Sequence, residues 1–215
     1  MFTPGDTAVT QSALSPPDTS RLARLDVDQY HRMLEKGILP EGAPIELLDG
    51  LLLYKDRSAV GEDPMSIGKR HSTAVNLLAR VGGALVAPRG SFLQTQNPVT
   101  IGQVHEPEPD GAVVRGGPRD YVARHPRPED VSCVFEVSES SLEHDRTHKL
   151  RIYASAGISQ YVIVNLVDDR LEVFEQPDAR KGRYRRQAFL DANASLSLVT
   201  PDGERVEVPV RDLLP

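Results

Sequence analysis

Residues 131–166 read VSCVFEVSESSLEHDRTHKLRIYASAGISQYVIVNL, and this stretch decides the fold class. Val131 to Val137 combines β-branched and aromatic residues, which is typical of a strand buried on both faces. Asp145 to Ala156 predicts a helix that ends at Gly157, because glycine readily takes the left-handed conformation that caps a helix. Tyr161 to Leu166 predicts a further strand. Strand, helix and strand in this order indicate an α/β fold.

Upstream of this unit the sequence predicts a helix, a hairpin and a second helix. Asp26, with Gln29 three positions later, resembles a capping box and begins a helix that runs to about Leu34. Asp49-Gly50 separates two short apolar runs, and this dipeptide accepts the positive φ angles of a type I′ hairpin turn. Between Lys69 and Val86, apolar residues recur at intervals of three and four, which indicates a helix.

Short strands are predicted on both sides of the central unit. They are Phe92–Asn97, Gly111–Val114, Leu171–Glu175, Tyr184–Phe189, Leu196–Val199 and Val206–Val208. We therefore expect a mixed β-sheet flanked by helices, with extra C-terminal β-hairpins. Residues 1–24 are rich in Pro, Ser and Thr without an apolar period, which predicts a flexible leader followed by a single domain over residues 25–215.

The composition is that of a soluble protein with a core. Of 215 residues, 39% are apolar and 26% are charged, and no apolar run approaches the roughly 20 residues that a membrane helix needs. The one cysteine, Cys133, cannot form an internal disulfide and is expected to be a small buried residue. We expect a cytoplasmic protein with no membrane partner.

The net charge of −6 gives no global field that would attract nucleic acid. Two local clusters are basic: five cations lie between Arg180 and Arg186, and four cationic or imidazole side chains lie between Arg146 and Arg151. Either cluster could contact a polyanion. The alternative for the first cluster is an exposed hairpin edge, where basic residues prevent strands of different molecules from pairing.

Three acidic residues stand at positions that the apolar pattern predicts to be buried or near a strand end: Glu46, Asp110 and Glu136. Burying carboxylates costs several kcal/mol unless a cation compensates. Lys149 on the following helix is one candidate, and Mg²⁺ or Mn²⁺ bound to the carboxylates is another. Such a set suits phosphodiester hydrolysis. The alternative is a pair of internal salt bridges, Glu136 with Lys149 and Glu46 with an arginine.

Six segments, taken in order, resemble one known family. The segments are IELLDG at 45–50, the helix that opens around His71, QNP at 96–98, EPEPD at 106–110, VFEVS at 134–138 and DRTHKLRIYASAGI at 145–158. The chain is similar over about residues 25–214 to the Uma-two family of restriction-endonuclease-like proteins, in the PD-(D/E)XK nuclease superfamily. The resemblance implies a restriction-endonuclease-like core.

The resemblance also implies roles for individual residues. Asp110 and Glu136 match the acidic positions of the superfamily motif and are implied to be metal ligands, with Mg²⁺ or Mn²⁺ as the cofactor. Ser138 stands where the motif lysine would be, and Lys149 matches the lysine that the family carries on the next helix. Glu46 matches an early glutamate that would bind a second metal ion or its water. A homodimer is implied as well.

Other polar residues are open to two interpretations. His71 and Gln96 match positions that line the site, although His71 shares a helix face with apolar residues and would also fit as a core histidine. His144 and His148, four residues apart, could form half of a zinc site. Glu106 and Glu108 alternate with prolines and are expected to be solvated.

Two functions of different classes follow. The first is a metal-dependent endonuclease that acts on DNA, and the second is an inactive nuclease-fold module that binds nucleic acid or dimerises. The retained acids and lysine favour the first function. A glycosidase would also use two carboxylates, but it predicts neither the lysine nor the metal. The absence of tryptophan also leaves few platforms on which a sugar could stack.

Overall fold

The computed structural model of the chain describes residues 22–40, 42–55 and 68–215. Its helices are α1 (Val27–Glu35), α2 (Lys69–Val86), α3 (Leu142–His144) and α4 (Leu150–Ser155), with a π-helical turn (Asp145–Lys149) between the last two. Its strands are β1 (Ile45–Leu48), β2 (Leu51–Tyr54), β3 (Ser91–Gln94), β4 (Gly111–Arg115), β5 (Val131–Ser138), β6 (Gln160–Asn165), β7 (Arg170–Asp178), β8 (Arg183–Leu190), β9 (Ser195–Val199) and β10 (Arg205–Pro209).

All the predicted helices and strands are present, with ends that differ from the prediction by a few residues. The predicted capping box exists, because the Asp26 side chain accepts from the Gln29 backbone and the Gln29 side chain accepts from the Asp26 backbone. Most of the predicted leader, residues 1–21, lies outside the described residues. The division into a leader and a single domain therefore stays a prediction.

The α/β prediction is confirmed by a six-stranded mixed sheet with the order β3-β4-β5-β6-β7-β8. Only the pair β5–β6 in this sheet is parallel, and the helical segment from Leu142 to Ser155 makes the crossover between these two strands. Strands β1–β2 and β9–β10 form separate antiparallel hairpins. A parallel pair needs such a crossover, since a tight turn can join only antiparallel strands.

Strand β5 is buried along its whole length and carries the centre of the core. Cys133, Phe135 and Val137 point to the face that packs against α2 and the β9–β10 hairpin, and Cys133 is buried as expected. Successive side chains alternate between the two faces, so Glu136 points with Val134 to the face covered by α4. The sequence pattern therefore directs one acidic residue into an otherwise apolar layer.

The β1–β2 hairpin turns at Asp49 and Gly50, whose φ angles are 51° and 73°, as the Asp-Gly dipeptide predicts. Leu47 pairs with Glu106 in an isolated antiparallel bridge. The expectation that Glu106 and Glu108 are solvated was wrong. Glu106 is 2% exposed and Glu108 is partly buried, because this proline-containing segment runs alongside β1 and is not free in solvent.

The basic cluster between Arg180 and Arg186 lies on the turn before β8 and on β8 itself, which is the edge strand of the sheet. Arg185 and Arg186 form ion pairs with Asp178 and Glu175 on β7, at 3.3 Å and 3.2 Å. In the part of the chain that is described, no helix has the length and hydropathy that a membrane crossing requires.

Candidate active site

A cleft of about 320 Å³ opens beside the end of β5. The structure brings all of the site residues proposed from the sequence to this cleft. They are Glu46, His71, Gln96, Asp110, Glu136 and Lys149. They come from β1, α2, the segment between β3 and β4, β5 and the π-helical turn, so that only the folded chain assembles them.

Asp110 lies immediately before β4, where Gly111 pairs with Phe135 of β5. Continuing this antiparallel register by one residue places Asp110 opposite Glu136. The backbone N–H of Val137 donates to Asp110 Oδ2 at 2.8 Å, and His71 Nε2 lies 3.2 Å from the same oxygen. His71 therefore contacts an acidic residue at the cleft, which distinguishes it from a histidine buried in the apolar core.

Glu136 is 4% exposed and is held by two donors at one oxygen. The Tyr153 hydroxyl donates to Oε1 at 2.7 Å, and Lys149 Nζ donates to the same atom at 3.0 Å. Lys149 and Tyr153 are four residues apart on one helical segment, so they face the same side. The helical segment that follows β5 therefore packs back against that strand and fixes Glu136 near the end of it.

Glu46 reaches the cleft from the β1–β2 hairpin and is 3% exposed. Its Oε1 accepts from Lys149 Nζ at 3.1 Å and from the Glu108 backbone N–H at 2.8 Å. Among the described residues no arginine pairs with Glu46, whose cationic neighbours there are Lys149 and, at 3.8 Å, Lys55. Lys149 thereby links two acids that are far apart in the sequence.

The sequence patterns do not single out Lys55 and Asp145, which also line the cleft. Lys55 follows β2 and donates to Glu108 Oε2 at 3.1 Å. Asp145 is 2% exposed, and its Oδ2 accepts from the hydroxyls of Ser138 and Ser141, each at 2.6 Å. Asp145 belongs to the motif segment at 145–158 and could have been found there, whereas a single lysine after a strand gives no such signal.

The π-helical turn has Asp145 at its start and Lys149 at its end, and both side chains are buried. Single π turns inside α-helices occur frequently at functional sites. The Ser138 hydroxyl donates to Asp145 and so connects the end of β5 to this turn. The serine is thus bonded to the helical segment that carries the lysine.

The acidic side chains outnumber the cations in the cleft. Among the described residues, six carboxylates and two ammonium groups line the cleft. The carboxylates are those of Glu46, Glu108, Asp110, Glu136, Glu139 and Asp145, and the ammonium groups are those of Lys55 and Lys149. Burial raises the pKa of Glu136 to about 8, opposed by Lys149 and reinforced by the neighbouring acids. Burial alone would lower the pKa of Lys149, but Glu136 and Glu46 raise it well above its usual value.

The pKa of Asp110 shifts in the opposite direction, because the groups that favour its charged form outweigh the effect of burial. Burial would raise the pKa of its carboxyl, but the hydrogen bond and charge of His71 and the Val137 N–H outweigh burial and lower the pKa. Asp110 therefore stays ionised at neutral pH. The cleft combines one acid held as a carboxylate with a second acid whose ionisation depends on a nearby cation.

The donor set fits a hard divalent cation. In Glu46, Asp110 and Glu136, one oxygen is fixed by protein donors, while the other makes no hydrogen bond to the described residues. Free carboxylate oxygens are the ligands that Mg²⁺ and Mn²⁺ prefer. In the described chain, however, these three acids do not present oxygens within 4.8 Å of one another, so one ion would not be shared by all three.

Comparisons with known proteins agree with the fold. A crystal structure described as a "putative nuclease belonging to DUF820" from Anabaena variabilis ATCC 29413 superposes with a TM-score of 0.64 and 15% identity, over 88% of this chain and 97% of that chain. At this identity the likeness shows the fold. No curated protein matches the sequence. The Uma2 family model, described as "Putative restriction endonuclease", matches residues 27–208, and the chain therefore belongs to the Uma2 family.

Proposed function

We propose that the protein is a metal-dependent endonuclease that hydrolyses phosphodiester bonds, with DNA as the substrate. Family membership and the fold of the neighbour support a nuclease-like function. The observation that carries the proposal is the arrangement around Lys149. Its ammonium lies 3.0 Å from Glu136 and 3.1 Å from Glu46 at the wall of an open cleft, beside carboxylates that each keep one oxygen unbonded to the described residues.

Asp110 and Glu136 would hold Mg²⁺ or Mn²⁺, since each has one oxygen oriented by the protein and one left for a ligand bond. A divalent ion in such a site polarises a phosphoryl oxygen and acidifies a bound water. His71 and Tyr153 fix the two acids, at 3.2 Å and 2.7 Å, so the carboxylates need little reorganisation when substrate arrives.

Lys149 supplies the positive charge that a phosphate requires as negative charge develops on it. Its pKa stays high because two acids face it, so it remains an ammonium at neutral pH and acts by charge, not as a base. We propose that Glu46 serves a second ion or the attacking water, because in the described chain the three acids together do not present oxygens within 4.8 Å of one another. Gln96 lines the same cleft and would contact the substrate.

The acidic surface of the cleft does not by itself attract DNA. We propose that the protein acts as a homodimer, in which the basic hairpins around Arg180–Arg186 of two subunits together contact the polyanion. Sedimentation at micromolar concentration should show a dimer. A monomer throughout that range would remove this part of the proposal while leaving the chemistry of the cleft unaffected.

The deciding experiment is a cleavage assay on plasmid and single-stranded DNA with Mg²⁺ or Mn²⁺. Asp110→Asn and Glu136→Gln should abolish cleavage and weaken binding of the ion, because each keeps the shape of the side chain but loses a charged ligand. Lys149→Ala should lose activity and keep affinity for the ion. Glu46→Gln should give an intermediate loss. Glu143→Gln, an exposed acid on the adjacent helix, is the control and should leave cleavage unchanged.

Calorimetric titration with Mg²⁺ or Mn²⁺ and thermal melts separate these outcomes from misfolding. A wild-type protein that binds no divalent ion and cuts nothing would contradict the proposal. If that protein still binds DNA, the inactive nuclease-fold module is the function.

A further inference from the structure

A second group of metal-ligating side chains lies outside the cleft. His31, Glu106 and His125 each offer a ligand atom, and these atoms lie within 4.8 Å of one another. His31 and His125 line a cavity of about 650 Å³ that shares no lining residue with the active-site cleft. Among the described residues, no other set of three His, Cys, Asp or Glu side chains meets the same spacing.

We propose that His31, Glu106 and His125 form a binding site for a transition-metal ion, with Zn²⁺ as the best match. Two imidazole nitrogens and one carboxylate are a donor set that zinc commonly takes, with a fourth position left for water. Mg²⁺ would favour oxygen ligands alone, as the cleft provides. The chemistry of the two sites is therefore different.

The side chain of Glu106 is buried and oriented by hydrogen bonds, as the side chain of a metal ligand usually is. It is 2% exposed, its backbone N–H donates to Leu47, and its Oε2 accepts from the Thr100 hydroxyl at 2.6 Å. Its Oε1 lies 2.6 Å from His31 Nε2. Metal ligands are typically oriented by such hydrogen bonds from a second layer of residues, and here Thr100 provides one.

The observed distances require a small rearrangement on binding. Tetrahedral zinc with bonds of about 2.0–2.1 Å places its ligand atoms about 3.3 Å apart. The contact between His31 and Glu106 would lengthen to that value, and the His125 ring, whose centroid is 5.9 Å from that of His31, would move closer. Rotation about side-chain bonds on a helix and a loop supplies both changes.

The charged side chains around the three ligands favour the binding of a cation. Asp26 and Asp28 line the cavity near His31, together with Arg124 and Arg127. Arg124 is neutralised by Asp130, with Nη1 2.6 Å from Oδ2. The ion would connect α1, the strand-like segment at Glu106 and the loop at His125, three parts of the chain that are distant in sequence. Binding of the ion would raise the stability of the fold, because a ligand that binds only the native state stabilises that state.

The test is a calorimetric titration of the chelator-treated full chain with Zn²⁺. The double variant Asp110→Asn/Glu136→Gln should keep one equivalent bound with the affinity of the wild type, because this variant disables only the cleft. His125→Ala should weaken binding by about 100-fold or more, and Thr100→Ala by about 10-fold. His144→Ala, which removes a histidine outside the cluster, is the matched control and should match the wild type.

Two further readouts keep the test decisive. Zn²⁺ should raise the melting temperature of the wild type but not of His125→Ala, and Co²⁺ should give a visible tetrahedral spectrum only when the cluster is intact. His31→Gln repeats the measurement if His125→Ala does not fold. Equal affinity of wild type and His125→Ala, loss of binding in the cleft double variant, or no binding by the wild type would overturn the proposal. None of these outcomes depends on nuclease activity.

Discussion

Ser138 and Asp145 are joined by a hydrogen bond in which the serine hydroxyl donates to Oδ2 at 2.6 Å, and both residues are almost fully buried. The bond connects the last residue of β5 to the first residue of the π-helical turn. At the other end of that turn, Lys149 faces Glu136 and Glu46. The turn that carries the ammonium group is therefore bonded to a serine eleven residues before Lys149 in the chain.

Ser138→Ala should lower both stability and cleavage. Ser141 would remain as a donor to Asp145, so the buried carboxylate would lose one of two hydroxyl bonds, at a cost of about 1–3 kcal/mol. Urea unfolding and the cleavage rate measure the two effects. Ser195→Ala, at an exposed position of β9, should change neither. A variant with full activity and unchanged stability would show that the bond does not position the turn.

Lys149→Met should destabilise the fold by about 3–5 kcal/mol, because it leaves Glu136 and Glu46 buried without their shared cation. Adding Glu136→Gln should recover part of this loss, since the second change removes one of the two buried acids that Lys149 compensates. Urea unfolding of the two single variants and the double variant measures the coupling. Strict additivity of the two effects would contradict a direct interaction.

Glu172 should make the fold sensitive to acid. Burial would raise the pKa of its carboxyl, but hydrogen bonds from Arg146 and Asn165 outweigh burial and lower the pKa below its value in the unfolded chain, about 4.3. The stability that this acid contributes is therefore present above about pH 4.3 and is lost as the pH falls through the lower pKa of the folded state.

The comparison that isolates this contribution is wild type against Glu172→Gln. The variant should be less stable by about 2 kcal/mol at pH 7, and the difference should shrink as the solution is acidified. Urea unfolding at a series of pH values measures it. Glu143→Gln, at an exposed site, should show no such trend. A difference that stays constant with pH would rule out the charged pairing with Arg146.

Gly50→Ala should destabilise the β1–β2 hairpin more than Gly157→Ala destabilises the end of α4. Both glycines have a positive φ, 73° and 77°, so both substitutions introduce backbone strain of order 1 kcal/mol. Only at Gly50 would an added Cβ also come within 2.8 Å of Arg24 and of the Leu25 carbonyl oxygen. Equal losses in thermal melts of the two variants would show that the close contact relaxes freely.

The sequence predicts the acids of the cleft for a physical reason. A carboxylate within an apolar strand is costly, so Glu136 and Glu46 stand out from the pattern around them. Lys55 does not stand out, because a single lysine after a strand is normally solvated. The π turn leaves no local signal either, since it changes the helical period by one residue within a short segment. The burial of Glu106 depends on the distant strand β1, which a local pattern does not report.

The two contacts of Lys149 differ greatly in chain separation, and this difference bears on the order in which the molecule folds. Glu136 precedes the lysine by 13 residues and Glu46 by 103. Local contacts close small loops at low entropic cost, whereas distant ones form late. We expect β5 and the helical segment that carries Lys149 to pack together early, while the sheet forms. The β1–β2 hairpin, which carries Glu46, would dock against them afterwards. During synthesis, the β1–β2 hairpin leaves the ribosome about a hundred residues before Lys149 does. The contact between Glu46 and Lys149 therefore forms late, in a single step.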